Sequence, residues 1–177
     1  MLTDEQRGAL IALARDAIAA HLGGGPPPII DEFILPEVSG VFVTIKRRGR
    51  LRGCLGTLET QVGLALEVVR CAVESASRDP RFPPLEGDEF AEIAVEISVL
   101  GPLEAIDPAP DAFAIGVHGL VVEHHGRRGL LLPQVALEWN WTPEQFLRQT
   151  CVKAGLAEDA WQVGATVYRF AAEVFGE

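Results

Sequence analysis

The chain has 177 residues, 48% of them hydrophobic and 23% charged, a composition that suits a globular domain and lies far from that of disordered chains. Fifteen Lys and Arg against 25 Asp and Glu leave a net charge of −10, which repels a phosphate backbone and argues against general nucleic-acid binding. No run of eighteen apolar residues is available to cross a membrane, and MLTDEQRGALIALARDAIAAHL opens acidic, without the basic start of a signal peptide.

Thr3 and Gln6 have the spacing of a capping box, and Leu10, Ile11, Ala14, Ala17, Ile18 and Leu22 recur on one face of the helix that follows. GGGPPP at 23–28 ends it and begins an irregular connection to about Gly40. VFVTIK and LRGCLGTL alternate as strands on either side of Arg47-Arg48-Gly49-Arg50, which predicts a hairpin. GLALEVVRCAVESAS at 63–77 is helical, with Ala65, Val68, Val69, Ala72, Val73 and Ala76 on one face and Cys71 inside it. SRDPRFPPLEG is too rich in proline for helix or central strand and reads as an ordered extended loop holding Asp79, Arg81 and Phe82. AEIAVEISVL alternates, with Ile93, Val95, Ile97 and Val99 expected on one face and Glu92, Glu96 and Ser98 on the other.

A second hairpin is expected in GLVVEHHGRRGLLLP, turning at 124–129. Thr142-Pro143-Glu144-Gln145 supplies an N-cap, a proline in the first turn and a capping-box glutamine, and Lys153-Ala154-Gly155 the stop of that helix. ATVYRFAAEVF at 165–175 closes the chain as a strand. Hairpins joined to segregated helices predict an α+β fold with a mainly antiparallel sheet, within a single domain over 1–177.

LRGCLGTLE at 51–59, SRDPRFPPL at 77–85, EISVL at 96–100, GVHGLVV at 116–122 and RGLLLPQVALEW at 128–139 together resemble the AMMECR domain family, in order and across nearly the whole chain. The resemblance implies a larger lobe built from both chain ends and a smaller lobe from the middle, with the LRGC block near a cleft. It also implies partners, since in many prokaryotes members form the A component of the AmmeMemoRadiSam system, beside a Memo-type protein and a radical SAM enzyme. It brings no settled reaction and no cofactor.

The LRGC block poses the sharpest chemical question. Glycine inside a strand is expected where another group comes close to the backbone, and residues two apart share a face. Arg52, Cys54 and Gly56 therefore point one way while Leu51, Gly53 and Leu55 point the other, leucines inward. On the functional reading Cys54 is a thiolate favoured by Arg52 and reached past Gly53 and Gly56, with Thr57 and the loop residues Asp79 and Arg81 completing a ligand site. On the structural reading Cys54 is a packed small residue and Asp79–Arg81 an internal pair that fastens the loop. His118, at a strand entrance, is the candidate base, set against a plain surface histidine. Glu123-His124-His125 does not read as a metal site, because adjacent strand residues face opposite ways. Cys71 and Cys151 read as packing residues, and three widely spaced cysteines suit a reduced, cytoplasmic setting.

The basic run Lys46, Arg47, Arg48, Arg50 and Arg52 reads either as a contact for an anionic ligand or acidic partner, or as a solvated hairpin tip. Trp139, Trp141 and Trp161 are expected to anchor the last helix to the core. Two functions follow: a cysteine-dependent enzyme or enzyme component acting on a small molecule or macromolecule with Arg52 orienting an anionic group, and a binding or scaffold module that recognises a substrate or peptide. RNA binding, resting on the basic hairpin alone, comes third.

Overall fold

The computed structural model describes residues 2–30, 38–60 and 62–177; part of the connection expected before Gly40 lies outside them, at 31–37. The chain divides into two compact units, Met1–Leu100 with Glu173–Glu177, and Gly101–Ala172, so both chain ends belong to the first.

In the first unit, helix α1 (Asp4–Gly23) starts at the expected capping box and ends at Gly24, which takes the left-handed φ of 66° that closes a helix. Strands β1 (Gly40–Arg47) and β2 (Arg50–Thr57) meet in a two-residue turn, Arg48 at φ 50° and Gly49 at φ 76°, the positive pair a type I′ hairpin demands. Helix α2 (Leu64–Ser77) follows, and strand β3 (Ile93–Leu100) completes an antiparallel sheet in the order β2-β1-β3. Register sets Ile45 between Gly53 and Val95, and Val43 between Leu55 and Ile97. Val43, Ile45, Val95 and Ile97 are buried with Leu10, Ala14 and Ile18 of α1 and Val68, Cys71 and Ala72 of α2 in one core. β3 departs from its expected alternation at Ser98, which is fully buried rather than on a polar face.

The second unit pairs β5 (His118–His124) with β6 (Arg127–Leu131) and with β7 (Thr166–Gly176), and β7 in turn with β4 (Glu104–Ile106), all antiparallel. The β5–β6 turn is tighter than expected, only His125 and Gly126, again both at positive φ. Helix α3 (Pro133–Glu138) precedes α4 (Pro143–Lys153), whose capping box at Thr142 and Gln145 forms as the sequence predicts. Leu120, Val122, Ala136, Phe146, Leu147, Cys151 and Val167 make this unit's core. The sequence reading did not separate β4, three residues among prolines, or α3, which continues the apolar run LLLPQVALEW without a change of pattern. The last residues of β7 return to the first unit, where the Glu177 carboxylate accepts the Val95 N–H at 2.8 Å and meets Arg15 at 2.9 Å.

The LRGC strand and the Asp79–Arg81 loop

Both segments that carry the candidate site lie in the first unit. β2 is the edge strand of its sheet, and the last turn of α2 presses against it. A Cβ on Gly53 would stand 2.1 Å from the Ser75 carbonyl oxygen, and one on Gly56 would stand 2.3 Å from the Val41 oxygen and 2.5 Å from the Phe42 ring. The close approach that two strand glycines announce is thus made by the chain's own backbone and an aromatic ring, which corrects the expectation that they open a path to the thiol.

Ser75 exploits the contact. Its hydroxyl donates to the Val43 carbonyl and accepts the Leu55 N–H, both at 2.8 Å, so a helix side chain bridges the two strands. Ser75→Ala leaves both backbone groups without that partner in a buried place. It is expected to cost about 1–3 kcal/mol, read as a lower midpoint in urea unfolding with an unchanged slope.

From the end of α2 the chain turns into the proline loop, which covers the outer edge of β2. Asp79, 4% exposed, accepts the Cys54 N–H on Oδ2 at 2.9 Å and the Arg81 N–H on Oδ1 at 3.0 Å. Arg81 clasps the same carboxylate with Nε at 2.9 Å and Nη2 at 2.7 Å, and Nη2 also donates to the Cys54 carbonyl at 3.3 Å. Both backbone groups of Cys54 are therefore met by loop side chains. Chiefly through the Arg81 side chain, and then the two N–H donors, the Asp79 carboxyl is held down at about 2 despite its burial.

The Cys54 sulfur accepts the Thr44 hydroxyl at 3.2 Å from the neighbouring strand. Burial pushes this thiol above its ordinary value; the Thr44 bond and the Arg81 charge pull the other way without reversing it. The activation expected from Arg52 is absent. Its Nε and Nη2 grip Glu89 at 2.9 and 2.8 Å, and Nη1 and Nη2 donate to the carbonyls of Pro83 and Pro84 at 2.9 and 3.2 Å. Arg52 is a clamp on the proline loop, and the guanidinium at the Cys54 backbone is that of Arg81. The leucines also depart from expectation: Leu55 is half-buried, and Leu51 is exposed on the hairpin side of a slip in the ladder between Ile45 and Lys46.

The basic hairpin is largely neutralised within the unit. Lys46 pairs with Glu96, Arg47 with Glu89 and Glu92, and Arg48 with Glu92, all at 2.7 to 2.9 Å. Arg52 above all holds the Glu89 carboxyl at about 2. Thr57 serves the end of β2, donating to the Glu59 carbonyl at 2.9 Å and accepting the Glu59 N–H at 3.2 Å. His118 belongs to the second unit, where Nδ1 accepts the Ala114 N–H at 3.0 Å, so the neutral ring carries its proton on Nε2. Cys71 and Cys151 are fully buried and both thiols are pushed up by burial, Cys71 to about 12. Among the described residues no group of three or more His, Cys, Asp and Glu could hold a metal ion.

The sequence reading missed Thr44, Ser75 and Glu89. Ser75 was findable, as a hydroxyl on the apolar side of α2 near Ala72 and Ala76. Glu89 sits in a 3₁₀ turn over Gly87–Glu92, and nothing local in PPLEGDEF points to its pairing with Arg52.

A family model described as AMMECR1 matches residues 11–175. The chain belongs to the AMMECR1 family. A relative from Methanothermobacter thermautotrophicus is 44% identical over 187 aligned positions, covering 99% of this chain and 96% of the relative. Protein PYRAB00100 of Pyrococcus abyssi is 43% identical, covering 99% and 92%. The crystal structure of Uncharacterized Protein PH0010 from Pyrococcus horikoshii superposes with a TM-score of 0.92 at 40% identity, covering 99% of this chain and 93% of that one. The AMMECR1 fold is thus α+β, and no helix among the described residues is long and apolar enough to cross a membrane.

Proposed function

We propose that this AMMECR1-family protein is a cytoplasmic binding component that acts with Memo-type and radical SAM proteins. In this reading the Cys54–Asp79–Arg81 cluster takes an anionic group of a small molecule or peptide. The observation that carries it is the arrangement of Arg81: two of its nitrogens are spent on Asp79, yet the side chain is half exposed. A buried carboxylate thereby aims a guanidinium that still faces solvent, beside a polar sulfur. Its Nη1, which bonds neither Asp79 nor the Cys54 carbonyl, is the donor that would meet a carboxylate or phosphate through a charge-assisted hydrogen bond.

A covalent role for Cys54 is the second reading. The Thr44 bond and the Arg81 charge both favour the thiolate, but burial outweighs them, and among the described residues no general base hydrogen-bonds the sulfur. His118 as base belongs to this second reading. RNA binding is less supported still, because the carboxylates of Glu89, Glu92 and Glu96 already occupy most of the basic hairpin.

Alkylation of Cys54 by iodoacetamide in the presence of citrate, an anionic probe, or glycerol, a neutral one, tests the site. Citrate is expected to slow labelling about tenfold, glycerol not at all, and Arg81→Gln to abolish the protection. Equal effects of the two probes would remove the anion reading. Rapid labelling at pH 7 without either would restore the thiolate. Co-sedimentation with purified Memo-type and radical SAM proteins tests the partners, and separate migration of all three would remove that part.

A further inference from the structure

Within the first unit Cys54 stands between two ion pairs. Asp79 and Arg81 meet its backbone from the proline loop. The other pair lies across the sheet. Thr44 of β1 is in register with Cys54 of β2 on one side and with Glu96 of β3 on the other, so the three side chains form one row on one face. That face is turned away from α2, because Gly53 is the residue that meets Ser75 and its neighbour Cys54 points the opposite way.

The row is held at both ends. Thr44 is 7% exposed, and its hydroxyl donates to the Cys54 sulfur at 3.2 Å. Lys46, two residues along β1 from Thr44, donates to Glu96 Oε2 at 2.9 Å, and both side chains of this pair are partly exposed. Arg52, two residues before Cys54, turns aside to Glu89 and the proline carbonyls.

Glu96 is bonded to Lys46 rather than to the sulfur, so it acts on Cys54 through its charge. Two strand spacings, about 10 Å, separate the backbones of Glu96 and Cys54. A unit charge at that range, partly shielded by solvent, shifts an ionisation equilibrium several-fold, up to about tenfold. Burial is the main reason that the thiol is raised; among the charges, Arg81 opposes the rise, while Asp79 and Glu96 add to it.

We infer that Lys46 and Glu96 are positioning residues for Cys54: Glu96 restrains the reactivity of the sulfur, Lys46 offsets that restraint, and Thr44 fixes the sulfur in the row. The inference rests on Cys54 lying in the site proposed above. Each pair is close to neutral as a whole, which suits a thiol that touches a ligand without attacking it. The two members of the Lys46–Glu96 pair then have effects of opposite sign. Glu96→Gln leaves the Lys46 charge uncompensated and favours the thiolate, whereas Lys46→Met leaves Glu96 uncompensated and disfavours it.

Labelling of the full chain by iodoacetamide, an uncharged reagent, from pH 7 to 9 reads the thiolate fraction of Cys54, with the modified cysteine identified by peptide mass. Glu96→Gln is expected to label about threefold faster than wild type at each pH and Lys46→Met about threefold slower, the double variant returning to within about twofold of wild type. Thr44→Val is expected to slow labelling about threefold and Thr44→Ser to restore it. Urea unfolding verifies that the variants fold.

Glu96→Gln and Lys46→Met changing the rate in the same direction would overturn the inference, because loss of one ion pair from the sheet would then explain both. Rates unchanged in both variants would overturn it as well, and an unchanged rate in Thr44→Val would remove the part given to Thr44. Protection by citrate is a separate reading: its absence would remove the anion site, whereas rates measured without citrate decide the role of Lys46 and Glu96.

Discussion

Gly53→Ala is expected to lower the stability of the first unit by about 3–5 kcal/mol, although it adds one methyl group. The added carbon would stand 2.1 Å from the Ser75 oxygen and 3.1 Å from the Ser75 carbonyl carbon, which are backbone atoms of α2 and cannot rotate away. Relief requires moving the helix that holds Val68, Cys71 and Ala72 in the core, and with it the Ser75 hydroxyl that bridges β1 and β2. Overpacking of this kind costs about 1–3 kcal/mol and a lost buried bridge about as much again. Against a total stability of about 5–15 kcal/mol, that is a drop of roughly 10 °C or more in Tm.

The same substitution at Gly8, inside α1 with nothing within 4 Å of the added carbon, is expected to raise stability by up to about 1 kcal/mol. Urea unfolding of the pair is the measurement. A Gly53→Ala protein as stable as wild type would mean that α2 does not touch β2 as described.

Asp79→Asn is expected to cost about 3 kcal/mol at pH 7 and to flatten the acid limb of the stability curve. The carboxylate is buried, so removing its charge leaves Arg81 facing a neutral amide and leaves the Cys54 and Arg81 N–H groups with fewer acceptors. In the folded chain Asp79 titrates at about 2, below its ordinary 3.8, so the folded state binds fewer protons than the unfolded one between those values. Its contribution, about 2 kcal/mol, is complete above the unfolded value and is lost as pH falls from about 4 through 2.

Glu89, also held at about 2, adds a second loss in a similar window, so Asp79→Asn should remove only part of the acid sensitivity. Unfolding at pH 7, 4 and 2.5 separates the two effects. Wild-type stability that stays flat down to pH 2.5 would show that neither carboxylate is tied as described.

Local chemistry explains why so many elements were legible. Capping boxes at Thr3 and Thr142, the positive-φ turn at Arg48–Gly49 and the alternation of Ile93 to Val99 each rest on residues within a few positions of one another. The sequence singles out the LRGC strand and the Asp79–Arg81 loop as candidate segments, and the structure joins them through the Cys54 N–H and carbonyl.

What the neighbours of each residue would be was another matter. Whether Gly53 makes room for a ligand or for Ser75, whether Arg52 serves Cys54 or Glu89, and whether the thiol is lowered by charge or raised by burial depend on contacts between segments far apart in the chain, such as the 37 positions that separate Arg52 from Glu89. Trp139 makes the same point: expected to anchor the last helix, it is exposed, and only the left-handed turn at Asn140 decides which of two nearby tryptophans enters the core. Sequence alone determined the family and the α+β class, because periodicity, caps and motifs are local properties of a chain. Tertiary structure decided which groups are already satisfied, because hydrogen-bond partners and burial are properties of packing between distant segments.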